Sequence, residues 1–156
     1  FELFSKRKYK YFFDNKKIEW VVSSDEEQKI LQAILYGYKL KTHVRLPSLL
    51  PVYQSSDLFV GACGVAFLER ACVGLWQLNF WVADNQSEIA ETIEKEELGF
   101  VIGDIRKLDS KEINQELNKF LKLKKETIFQ SIERVFKQVD GLGANNFLKK
   151  CLEVLG

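Results

Sequence analysis

Residues 57–86, DLFVGACGVAFLERACVGLWQLNFWVADNQ, read as a buried strand, a tight turn at Gly64, a short helix, a second strand and a polar Asp84-Asn85-Gln86 turn. This order sets a helix start at the end of a buried strand. The first backbone N–H groups of a helix have no intrahelical acceptor and carry a partial positive charge, so an anion such as a phosphate can dock there. Nucleotide or nucleotide-sugar binding is the expectation that follows.

Outward from this stretch, strand and helix periods alternate. Lys17-Ile18-Glu19-Trp20-Val21-Val22 is strand-like, and Ser24 with Glu27 three residues on has the spacing of a capping box. Ile30, Leu31, Ile34, Leu35 and Tyr38 then share a helical face. Thr42-His43-Val44-Arg45-Leu46 alternates as a strand, and a short helix entered through Pro47 carries Leu49, Leu50, Val52 and Tyr53.

Leu58-Phe59-Val60 is the apolar run of a sheet covered on both faces. A helix from about Val65 to Val73 ends at Gly74, and the strand Leu78 to Val82 follows. Ser87 is placed as the cap of a helix with Ile89, Ala90 and Ile93, and Gly99-Phe100-Val101-Ile102 is a further strand. From Asp109, with Glu112 as capping partner, the pattern is helical to the end, with a turn at Asp140-Gly141-Leu142-Gly143. About five strands separated by helices predict a Rossmann-like parallel α/β sheet with helices on both faces and helices at the C-terminus. The reading divides the chain into a basic, aromatic arm at 1–16 and an α/β domain at 17–156.

At 156 residues, with 46% hydrophobic content, 12 Phe and 3 Trp, the chain can fill a core. A net charge of +1 gives a polyanion nothing to follow, so nucleic acid is not the expected partner. Three cysteines, Cys63, Cys72 and Cys151, lack framework spacing and fit a reducing, cytoplasmic setting. No run approaches the ~20 apolar residues that span a bilayer. Methionine is absent, including at position 1, which suggests a piece of a longer protein. The Lys and aromatic residues of the arm fit a helix that packs against other sequence, and a nucleic-acid or membrane-surface patch is the weaker alternative.

In an open parallel sheet, ligands sit beyond the carboxyl ends of the strands. The rim is then Ser23-Ser24-Asp25, Leu46-Pro47-Ser48, Ala62-Cys63-Gly64-Val65 and Ala83-Asp84-Asn85-Gln86. Gly64 permits close approach of a diphosphate, Glu69 one turn on has a carboxylate suited to ribose hydroxyls, and Asn85 and Gln86 offer amides to sugar or phosphate. The plainer alternative is that Gly64 only permits the turn and Glu69 is a solvated helix position. A full G-x-G-x-x-G is absent. Cys63, before a helix start, could have a lowered thiol pKa, and Cys63 with His43, the only histidine, is a conceivable nucleophile pair, but a lone Cys at a strand end is more often a small core residue. Cys63 and Cys72 lack zinc spacing; neither a metal nor a cofactor is expected.

Gly64-Val65-Ala66-Phe67-Leu68-Glu69-Arg70-Ala71-Cys72-Val73-Gly74-Leu75, then Ala83-Asp84-Asn85-Gln86 and Asp140-Gly141-Leu142-Gly143-Ala144, resemble the C-terminal half of the UDP-sugar hydrolase of the pseudaminic acid pathway. That family is similar to the peptidoglycan N-acetylglucosaminyltransferase and has the two-domain GT-B architecture; the resemblance covers roughly residues 18 to 155. It implies that UDP or a UDP-sugar is the ligand, with the Cys63-Gly64-Val65 turn at the diphosphate, Glu69 at the ribose, and Asn85 and Gln86 toward the sugar in an interdomain cleft. It also implies a partner N-terminal domain that holds the glycine-rich loop and catalytic histidine, which residues 1–16 do not match; no catalytic residue is assigned in this chain. Where the family has small hydroxyl residues after the glycine, Val65 and Ala66 stand here, and Trp76 stands where proline is usual. A noncatalytic interaction module that keeps the half-fold is the alternative.

Overall fold

A computed structural model describes residues 16–155; the expected arm at 1–16 lies outside the described residues except for Lys16. The element order is β1 (Lys17–Val22), α1 (Asp25–Ile34), β2 (Lys39–Val44), α2 (Leu50–Gln54), β3 (Leu58–Ala62), α3 (Ala66–Cys72) and β4 (Trp76–Trp81). A 3-10 turn (Asp84–Gln86) leads into α4 (Ser87–Lys95), followed by β5 (Phe100–Asp104), α5 (Ser110–Leu121), α6 (Lys125–Gln138) and α7 (Gly143–Leu155). The fold is α/β, and the five strands among the described residues pair in parallel. They form two sheets, β1-β2 and β3-β4-β5, within two compact units divided between Val52 and Tyr53.

In the first unit, β1 and β2 run in register from Lys17 opposite Lys39 to Val22 opposite Val44. Alternation sends Trp20, Val22, Leu40 and Val44 to one face, where they pack with Leu31 and Leu35 of α1. Lys17, Glu19, Lys41 and His43 occupy the other. The Ser24 cap forms, accepting from the Glu27 N–H at 3.2 Å, but the Glu27 carboxylate bonds Ser23 N and Oγ, both at 2.8 Å, so the box is displaced by one residue. Strand β2 begins three residues before its expected start because Leu40 is drawn into this core, and it stops where Arg45 turns to φ 50.

In the second unit β4 is central and the sheet carries a hydrophobic core on each face; the Leu58-Phe59-Val60 run expected to be covered on both faces lies in the edge strand β3, where Val60 is 50% exposed. Cys63, Phe67 and Ala71 with Ala90 and Ile93 of α4 and Val135 of α6 form one core, against Trp81 and Val101. Trp76 and Leu78 with Phe100, Ile102, Phe120 of α5, and Ile128 and Ile132 of α6 form the other. The continuous helical pattern after Asp109 breaks at Lys122–Lys124, where Leu123 turns into this second core and a new helix starts. The Asp109–Glu112 capping box is complete: Asp109 accepts from Lys111 and Glu112 N–H, and Glu112 accepts from Asp109 N–H. Ser87 is the first residue of α4 and not its cap; its hydroxyl donates to the Asp84 carbonyl at 2.8 Å, inside the 3-10 turn that precedes the helix.

Candidate functional site

The carboxyl ends of β3, β4 and β5 share one edge of the larger sheet, and three loops leave from it: Cys63–Val65, Val82–Gln86 and Ile105–Leu108. The first two meet. Gln86 turns back over the end of β4, its Oε1 accepting from the Val82 N–H at 3.0 Å, and a Cβ placed on Gly64 would lie 3.9 Å from Gln86 Nε2. Gly64 is outside the left-handed region and that 3.9 Å is ordinary contact, so neither backbone strain nor crowding demands glycine here. The turn alone therefore does not explain the residue. Val65 opens α3 and is 78% exposed, so the helix start faces solvent.

Glu69 is exposed, one turn on from Val65. With Phe67, Arg70 and Ala71 buried, helical spacing puts Val65 and Glu69 together on the outer face of α3. Asn85 is exposed at the tip of the 3-10 turn. The structure thus brings Gly64, Val65 and Gln86 together at the edge, with Asn85 beside Gln86 and Glu69 along the helix.

Cys63 is different. Its thiol is completely buried in the core below α3, and its N–H donates to the Phe80 carbonyl at 2.8 Å. Burial pushes the thiol pKa up, the reverse of the lowered value expected from its place before a helix, and the Arg70 charge only partly opposes this. His43 Nε2 is engaged by Glu19 Oε2 at 2.7 Å on the β1-β2 sheet. Neither half of the conceivable Cys63–His43 pair is in a nucleophile's setting.

Two features went unread in the sequence. Arg70 is buried with no carboxylate in hydrogen-bond reach among the described residues: Nε donates to Gln77 Oε1 at 2.7 Å, Nη2 to the Ala62 carbonyl at 3.3 Å, and the guanidinium lies 3.7 Å from the Phe59 ring centre. Desolvation lowers its pKa, and a hydrogen bond with Tyr53 opposes the shift. Gln77 in turn donates to the Phe67 carbonyl at 3.2 Å, so this cluster ties α3 to β3 and β4 just below the Gly64 turn.

The second lies at the end of β5. A bulge inserts an extra residue between the Asn79–Val101 and Trp81–Asp104 pairs, at Gly103 with φ 128, and delivers Asp104 to the edge. The buried Asp104 carboxylate accepts from Arg106 Nε at 2.9 Å, Nη2 at 2.8 Å and the backbone N–H at 3.1 Å. Arg106 Nη2 also reaches Asp84 Oδ1 at 2.5 Å, clasping the 3-10 turn, and Lys107 Nζ is 3.4 Å from Asp104. Hydrogen bonds from Arg106 hold the Asp104 carboxylate well below the usual range and lower that of Asp84. In the sequence these are Asp104-Ile105-Arg106-Lys107, at the end of the fifth strand and on the same rim as the other loops, with no local mark that Asp104 holds Arg106.

Among the described residues, no group of three or more His, Cys, Asp or Glu is placed to hold a metal, and no helix is long and apolar enough to cross a membrane. Set against known proteins, the chain matches no family model and no curated protein.

Proposed function

We propose that the unit from Tyr53 onward binds UDP or a UDP-sugar, as the C-terminal half of a GT-B-type enzyme, a nucleotide-sugar hydrolase or glycosyltransferase of bacterial surface-glycan synthesis in the cytoplasm. The observation that carries this reading is Gly64: a glycine at a solvent-open helix start, on a carboxyl edge shared with Gln86, where the fold itself does not require one. Close approach of a diphosphate to the backbone does require one. The Phe67 and Leu68 N–H groups already donate to the Gly64 and Val65 carbonyls, at 2.8 and 3.0 Å, so the donors are the Val65 and Ala66 N–H groups, and Glu69 on the same outer face supplies the carboxylate for ribose hydroxyls. Loss of UDP from a sugar to water also needs a positioned base and a closed cleft. The reading assigns both to an N-terminal partner domain, so this half binds weakly and does not turn substrate over by itself.

Thermal-shift titration of the chain with UDP, UDP-N-acetylglucosamine and an oligonucleotide tests it. Stabilisation by the uridine nucleotides is expected, reduced in Gly64→Val and Glu69→Ala. No response to either uridine nucleotide overturns the proposal. A salt-sensitive response to the oligonucleotide alone would favour a nucleic-acid binder. A second reading, a noncatalytic interaction module, is favoured by α7, which leaves Phe147, Leu148 and Leu152 exposed along one side.

A further inference from the structure

We propose that Arg106 forms an anion subsite on this edge, whose present occupant, Asp84, is exchanged for a phosphate of the ligand. The inference rests on reading the edge as a phosphate-binding one, and it names the side chain that would take the charge. A guanidinium offers two bidentate sides. The Nε–Nη2 side is filled by the two oxygens of Asp104, at 2.9 and 2.8 Å. Against the Nη1–Nη2 end Asp84 places one oxygen, at 2.5 Å on Nη2, and Nη1 has no acceptor among the described residues. One oxygen thus sits on an end built for two.

The two carboxylates differ in how firmly they are held. Asp104 is buried and takes three bonds from the Arg106 side chain and backbone, so the guanidinium is fixed from behind. The Asp84 side chain is 91% exposed and has no other side-chain bond, so it can swing into water at little cost. With Asp84 gone, Arg106 and Lys107 face a single buried carboxylate, and the pocket carries net positive charge. A phosphate or diphosphate can present two oxygens to Nη1 and Nη2 where Asp84 presents one. Because Asp84 begins the turn that carries Asn85 and Gln86, the exchange also frees that turn beside Gly64.

Titration of the whole chain with inorganic pyrophosphate and, separately, with UDP, followed by 31P NMR, tests the exchange. Asp84→Asn removes the competing charge from an exposed position; it should tighten pyrophosphate binding about two- to fivefold, the fold-change equivalent of an exposed ion pair. Arg106→Gln should abolish binding. Since that variant orphans a buried carboxylate, Arg106→Lys is the companion: it keeps a cation beside Asp104, loses the fork, and should lose most of the affinity while circular dichroism stays that of the parent. Unchanged or weaker pyrophosphate binding in Asp84→Asn, or parental binding in Arg106→Lys, overturns the subsite. If UDP binds the parent, Asp84→Asn and Arg106→Lys equally, the subsite falls and the nucleotide reading stands. If pyrophosphate follows the expected order and UDP binds no better than pyrophosphate, the subsite stands and the nucleotide reading falls. Binding of neither by parent or Asp84→Asn overturns both.

Discussion

Among the described residues, the two sheets are covered by different numbers of layers. The β1-β2 sheet packs α1 on the face that bears Trp20, Val22, Leu40 and Val44, and its alternate face carries Lys17, Glu19, Lys41 and His43. The β3-β4-β5 sheet has a hydrophobic core on each face. A sheet with both faces occupied has only its edges left for polar work, and the carboxyl edge of this one gathers Gly64, Gln86, Asp84, Asp104 and Arg106. In the smaller unit the charges lie on a face; in the larger they lie at an end, where a parallel sheet delivers its loops.

The largest expected difference is in the cores. Phe67 is 1% exposed and surrounded by α3, α4, α6 and the sheet, so Phe67→Ala should cost about 3–5 kcal/mol in urea unfolding. Leu35 is as deeply buried, and among the described residues it packs in a smaller cluster, with Val22 and Leu31 and against Trp20, Tyr38, Leu40 and Val44. Leu35→Ala should fall at about 2–3 kcal/mol, the low end for such truncations. Equal costs would break the argument from layers.

Next in size is the charged face of β1-β2. Glu19 Oε2 is 2.7 Å from His43 Nε2 and 3.8 Å from Lys41 Nζ, and Oε1 pairs with Lys17; the carboxylate is 9% exposed. Hydrogen bonds from Lys17 and then His43 lower its pKa below the ordinary 4.5. A folded-state pKa below the unfolded one gives stability that is fully present above the unfolded value and fades as pH falls through the folded one, so the loss belongs below about pH 4.5. Glu19→Gln should cost roughly 1–3 kcal/mol at pH 7, as a charged hydrogen-bond group removed from its partners does. It should also flatten the decline of stability below pH 4.5. An acid limb of parental steepness in Glu19→Gln would assign that limb to other carboxylates.

Two glycines then sharpen the contrast. Gly37 follows α1 with φ 92, and a Cβ there meets nothing within 4 Å; Gly74 follows α3 with φ 70, and a Cβ there would lie 2.6 Å from the Phe136 ring of α6. Alanine at either position pays roughly 1–2 kcal/mol of left-handed backbone strain. At Gly74 the ring must also leave its packing, so Gly74→Ala should lower the melting temperature more than Gly37→Ala. The reverse order would mean that α6 is less closely seated on α3 than its contacts indicate.

Most of the strands and helices could be read from periodicity, because apolar spacing and capping residues are local. What could not be read depends on residues far away. Gln77 and Asn79 alternate with Trp76 and Leu78 like the wet face of a strand, yet both are buried, since Arg70 takes up Gln77 and the Asn79 amide donates to the Gln77 and Phe100 carbonyls; the strand expected from Leu78 begins at Trp76. At the edge, Gly64, Asn85 and Gln86 were legible as the rim of a parallel sheet. Arg106 was not, because nothing local says that a bulge at Gly103 will bring Asp104 round to hold it. The burial of Cys63 was legible as the commoner fate of a lone cysteine at a strand end, and α4 and α6 close over it.

The smallest effect concerns the other helix end in the larger unit. Leu98 N–H bonds the Ile93 carbonyl at 2.9 Å and Glu97 N–H the Glu94 carbonyl at 3.1 Å, the bonding of a Schellman cap, with Ile93 and Leu98 both in the core. The same motif closes α3, where Leu75 N–H bonds Arg70 O and Gly74 N–H bonds Ala71 O, and there the left-handed residue is glycine. At α4 it is Glu97, with φ 52, kept in place by Ser131 Oγ donating to its carbonyl and by Arg134 Nη1 at 2.7 Å from its carboxylate. Both side chains come from α6, so tertiary contacts carry a backbone conformation that the residue itself disfavours. Glu97→Gly removes the strain, keeps the Ser131 bond to the backbone, and loses an ion pair whose members are 39% and 67% exposed and which therefore contributes little. Offset by the greater freedom of glycine in the unfolded chain, the net gain should be about 0.5–1 kcal/mol, seen as a small rise in urea midpoint at unchanged slope. A lower midpoint would instead make the Arg134 pair the principal hold of α6 on the end of α4.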